Sequence, residues 1–99
     1  MDYKPVVANE DIDALFASIL TLQTMEECYK FFDDLCTVPE LKAMAQRCVV
    51  AHMLQDGDVY NDIVEKTGAS TATISRVNRS LQYGNNGYEI VFDRLKKEV

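Results

Sequence analysis

The chain has 99 residues, 47% of them hydrophobic and 9% aromatic, which is one globular domain's worth and excludes a disordered or low-complexity polypeptide. No apolar run approaches the roughly 20 residues that span a bilayer, and the N-terminus lacks the basic and apolar blocks of a signal peptide, so a soluble cytoplasmic protein is expected. Sixteen acidic against ten basic side chains give a net charge of −6, the wrong sign for a polyanion partner unless the charge is unevenly spread.

It is unevenly spread. Residues 1–40 hold nine acids and two bases, whereas residues 41–99 hold seven acids and eight bases. Within the second part, 59–83 sets Lys66, Arg76 and Arg79 against Asp62 and Glu65.

The apolar pattern is helical almost throughout, and an all-α fold of about six helices is predicted. Ile12, Leu15, Phe16, Ile19 and Leu20 line one face of a first helix that Asn9 can cap. Thr24 and Glu27 stand at capping-box spacing and open a second helix with Cys28, Phe31, Phe32 and Leu35 inward. These acidic N-terminal helices occupy 1–36. Thr37 and Glu40 repeat the device, with Pro39 tolerated in the first turn, and start a central helix over 37–56 that Asp56-Gly57 ends. Leu41, Met44, Ala45, Cys48 and His52 form one stripe of this helix, while Val50, Met53 and Leu54 lie toward its other side. A helix apolar on two sides is buried from two sides, and in so short a chain a second copy supplies the other layer. A homodimer with this helix at its centre is therefore expected.

Residues 59–82 read as two short helices around a tight turn. Ile63 and Val64 face inward from the first, Thr67-Gly68-Ala69 makes the turn, and Ser70 caps a second helix with Ile74, Val77 and Leu81 inward. The offsets among Val64, Gly68, Ile74 and Val77 are those of a helix-turn-helix. Opposite the apolar side stand Ala72, Ser75, Arg76, Arg79 and Tyr83. Small residues near a helix start allow close approach to base edges, the hydroxyls of Ser70, Thr71 and Thr73 reach phosphates, and arginines follow. The helix N-terminus adds backbone donors and a positive dipole end. The expected DNA-binding residues are Lys66, Ser70, Thr71, Ala72, Thr73, Ser75, Arg76 and Arg79. Gly84 suits the end of the second helix, and Asn86 with Glu89 starts a last helix over 86–98, lined by Tyr88, Val91, Phe92 and Leu95.

The segment TVPELKAMAQRCVVAHMLQDGDVYNDIVEKTGASTATISRVNRSL, residues 37–81, resembles the Trp repressor superfamily, and the whole chain resembles its YerC/YecD-type branch in Gram-positive bacteria. GASTATISRVNRSLQYGN carries most of the resemblance. It implies an intertwined homodimer that presents two recognition helices to successive major grooves of an operator, about 34 Å apart. By the same resemblance Thr71, Ala72, Thr73, Ser75 and Arg76 match operator-contacting positions, and Thr37, Arg47, Arg76 and Ser80 match the family's tryptophan pocket. Val77 stands where the Trp repressor has a glycine against which the indole packs. The extra carbons fill that space at a cost of about 1 to 3 kcal/mol or more to a ligand there, so tryptophan is disfavoured while a smaller corepressor keeps a candidate pocket in Thr37, Arg47, Arg76, Val77 and Ser80. Val77 is equally the apolar residue with which an ordinary helix-turn-helix locks its helices. Arg47 either anchors a ligand carboxylate or pairs with an acid of the partner subunit. Basic family positions are replaced by Asn61 and Val64, which lowers the number of phosphate contacts and the salt dependence.

The leading expectation is thus a sequence-specific, repressor-like transcriptional regulator that binds double-stranded operator DNA as a homodimer. The second is a protein-interaction module that engages transcription or replication machinery through the acidic N-terminal half. Neither an enzyme nor a cofactor is expected: Asp33-Asp34 lacks a positioned partner for acid–base chemistry, and no glycine-rich loop cradles a nucleotide. Cys28, Cys36 and Cys48 form no Cys-x-x-Cys pair, and with His52 as the single histidine a zinc site is not expected. Cys28, Cys48 and His52 are read as core residues, and Cys36 has no assigned role.

Overall fold

The computed structural model describes residues 3–97. Six helices follow one another: α1 (Glu10–Ile19), α2 (Met25–Leu35), α3 (Val38–Gln55), α4 (Tyr60–Thr67), α5 (Thr71–Tyr83) and α6 (Gly87–Lys97). The described residues contain no strand. The predicted end of the last helix at 98 lies outside the described residues. The chain forms two compact units that divide between Thr37 and Val38.

In the N-terminal unit the helix starts are set by side chains named from the sequence. Asn9 Oδ1 accepts the Ile12 amide at 2.8 Å, and Thr24 Oγ1 accepts the Glu27 amide at 3.1 Å. Glu27 reaches back one residue further than a standard capping box, accepting the Gln23 amide at 2.9 Å. Neither α1 nor α2 contains a buried residue.

The core belongs to the second unit. Val50, Ala51, Ile63, Ala69, Ile74, Val77 and Phe92 form it, and Met53, Leu54, Val64, Leu81 and Tyr88 pack around it. Helix α3 is the platform for α4, α5 and α6. It ends in a Schellman motif, in which the Gly57 amide donates to Leu54 O and the Asp58 amide to Met53 O, both at 3.1 Å, with Gly57 at φ +87°.

Within the second unit only one side of α3 is covered. Val50 and Ala51 are fully buried, whereas Met44, Ala45, Cys48 and His52 are exposed and Leu41 is half-buried. This corrects the reading of Cys48 and His52 as core: both are exposed, on the side of α3 opposite Val50. His52 instead sits beside Asp56, with Nδ1 3.3 Å from Oδ2, and edge-on to Phe92 at a ring separation of 5.2 Å. Cys28 and Cys36 are half-buried, and all three cysteines are free thiols.

Candidate nucleic-acid interface

The α4–α5 segment has the geometry expected of a helix-turn-helix. Ile63, Ile74 and Val77 are buried at its centre and Val64 and Leu81 are half-buried beside them. Gly68 ends α4 at φ +71°, a left-handed conformation that costs glycine nothing, and its amide donates to Val64 O at 2.9 Å. Ala69 is buried in the turn. Ser70 caps α5: its Oγ accepts the Thr73 amide at 3.1 Å and lies 3.0 Å from Thr73 Oγ1.

Burying Ile74 and Val77 turns the opposite side of α5 to solvent. Ser70, Thr71, Ala72, Ser75, Arg76 and Arg79 are exposed, Thr73 is half-buried, and Lys66 is exposed at the end of α4. All eight residues expected to meet DNA thus keep surface available. None of the three basic ones enters an ion pair within the described residues. Tyr83, 82% exposed, continues the same face at the C-terminal end of α5. Of the two positions where basic residues are replaced, Asn61 is exposed and Val64 packs against the core.

A cavity of about 320 Å³ opens between α3 and α5, lined by Ala43, Gln46, Arg47, Ala72, Thr73 and Arg76. Its walls bring together Arg47 and Arg76, two of the five residues assigned to an effector pocket. The other three are elsewhere. Val77 is spent in the core at 2% exposure, Ser80 lines a separate cavity of about 150 Å³ with Leu81 and Tyr88, and Thr37 ends the N-terminal unit. Gln46 and Ala43 were missed in the sequence because they carry no charge and no motif; the signal available was the spacing of Ala43, three residues before Gln46 and four before Arg47 on one helix. Burial pushes the Tyr88 hydroxyl above its ordinary pKa, the Cys48 thiol adds to the rise, and the Arg47 guanidinium opposes it. Among the described residues no cluster of His, Cys, Asp and Glu has the arrangement of a metal site.

Comparison with known proteins places this architecture. The Trp repressor protein family model matches residues 10–96. The uncharacterized Bacillus subtilis (strain 168) protein YerC is 57% identical over 88 residues, covering 89% of this chain and 85% of that one. Two solved structures superpose with a TM-score of 0.88. One is a candidate Trp repressor from Staphylococcus aureus, 52% identical, with 91% of this chain and 90% of the other covered. The other is a TrpR-like protein from Eubacterium eligens, 53% identical, with 91% and 93% covered. An all-α chain with a capped helix-turn-helix, matched over nearly its whole length in sequence and in fold, belongs to the Trp repressor family.

Proposed function

We propose that the protein is a cytoplasmic, repressor-like transcriptional regulator that binds a pseudo-palindromic operator as a homodimer, without catalytic activity of its own. The observation that carries this reading is the division of α5: Ile74 and Val77 are consumed in the core, while Ser70 to Arg79 offers hydroxyls, a small residue and two unpaired guanidiniums around a helix start. Such a surface holds phosphates at the helix N-terminus and reads base edges with the arginines. With Asn61 and Val64 in place of bases, affinity depends on few charges and on the pairing of two motifs in a dimer.

Retention of selected genomic fragments by the wild type and by Arg76→Ala with Arg79→Ala tests the reading. A good arginine–base contact discriminates by about 1 to 3 kcal/mol, so the double variant loses specific retention by at least roughly tenfold while remaining dimeric. Unchanged retention by an intact dimer defeats it, and favours protein binding through the acidic N-terminal half.

The cavity bears on regulation. Two guanidiniums with the Thr73 hydroxyl and the Gln46 amide suit a small anionic effector, and the family resemblance, which sets Val77 where the Trp repressor has a glycine beside the indole, argues against tryptophan as that effector. Calorimetry with L-tryptophan is expected to show no saturable binding; micromolar binding that Arg47→Ala removes contradicts this.

A further inference from the structure

One side chain fastens the helix-turn-helix turn to the central helix. Gln46, half-buried on α3, donates from Nε2 to the main-chain carbonyl of Thr67 at 3.0 Å. That carbonyl is among the last four of α4, which have no acceptor role inside their own helix and need a donor from elsewhere. The Thr67 hydroxyl stiffens the same point: it donates to Ile63 O at 2.7 Å and accepts the Ala69 amide at 3.1 Å. The side-chain hydrogen bonds of Thr67, Ser70 and Gln82 all stay within their own helix or turn. Gln46 spans 21 positions of sequence.

The geometry points to Gln46 as a positioning residue that sets where the α4–α5 turn, and with it the start of the recognition helix, rests on α3. This rests on the DNA-binding reading above and deepens it. Thr71 begins α5 four residues after the tethered carbonyl. A turn free to slide on α3 moves the DNA-reading residues of one protomer against those of its partner and blurs the distance between half-sites. The apolar contacts of Ile63, Ala69 and Ile74 hold the turn down, but such contacts are non-directional. The hydrogen bond supplies the register.

Gln46→Met keeps the length of the side chain and removes the donor; Gln46→Glu keeps its shape and places a carboxylate against the carbonyl. A net hydrogen bond of about 0.5 to 1.5 kcal/mol corresponds to a roughly 2- to 12-fold change in local opening. Amide hydrogen exchange at Gly68 and Ala69 in both variants is therefore expected to accelerate by about that factor, with Val50 and Ala51 of α3 unchanged. On DNA, the wild type discriminates between operators whose half-sites differ in spacing by one base pair, and both variants lose part of that discrimination while remaining dimeric. Unchanged exchange at Gly68 and Ala69 overturns the proposal, as does acceleration that extends equally to Val50 and Ala51, the mark of general destabilisation. Altered exchange with undiminished spacing discrimination also overturns it. A wild type that retains no DNA defeats the DNA-binding reading instead, and spacing then has no meaning, but exchange still decides whether Gln46 holds the turn.

Discussion

Helices α1 and α2 begin with side-chain caps and acidic first turns, α5 with the Ser70 cap alone and α4 with no side-chain cap, yet it is the better-started pair that lacks a core. The second unit owns the whole core, from Val50 to Phe92. The first buries no helical residue, and leaves Phe16 55% and Leu20 84% exposed. Local signals are enough to start and stop a helix; burial requires a surface to pack against. Fully burying one such side chain contributes about 1.5 to 3 kcal/mol, so in the proposed homodimer the exposed apolar faces of each unit are candidates for cover by a second protomer. The acidic charge lies on the unit without a core, and the candidate DNA surface on the unit with one.

Substitutions on either side can break this contrast. Ile74→Ala leaves a cavity in a fully buried site, and is expected to lower unfolding free energy by about 2 to 5 kcal/mol in urea denaturation. A loss below about 1 kcal/mol would mean that the Val50–Phe92 core is not what holds the second unit together. Leu20→Asp, at the exposed C-cap of α1, is expected to weaken dimerisation in sedimentation while near-UV signals of the second unit persist. If it leaves self-association untouched, α1 is not covered by a partner. The smallest effect is one of pH. The Tyr88 hydroxyl is pushed up in the folded state, so folding favours its neutral form; the resulting stability is present below the ordinary tyrosine pKa of 10.0 and is lost as pH rises through the folded value. Tyr88→Phe should flatten this alkaline decline in thermal melts without changing stability near pH 7.

Much of this was legible in the residues. Asn9, Thr24 and Ser70 cap the helices their spacing assigns them, Asp56-Gly57 ends α3, and the inward and outward sides of α5 follow from 100° per residue. The mistaken positions, Cys48 and His52, share a cause. A periodic stripe shows that a face is apolar, not which molecule covers it, so a side of α3 that is open in the second unit read as its core. Gln46 was illegible for another reason: a neutral amide on a helix has no local pattern, and its partner is a main-chain carbonyl on another helix. Arg47 and Arg76 were assigned to a pocket from the family resemblance, Arg76 having already been read from the outward face of α5, and the cavity between them follows from the packing of α5 on α3.

Sedimentation of the protein with and without a duplex selected from genomic DNA decides whether it is a DNA-binding homodimer. The expected free species has twice the 11.2 kDa chain mass, and the expected complex holds two chains per duplex and is abolished by Arg76→Ala with Arg79→Ala. A stable monomer at micromolar concentration, or a dimer that leaves the duplex unbound, would contradict this reading.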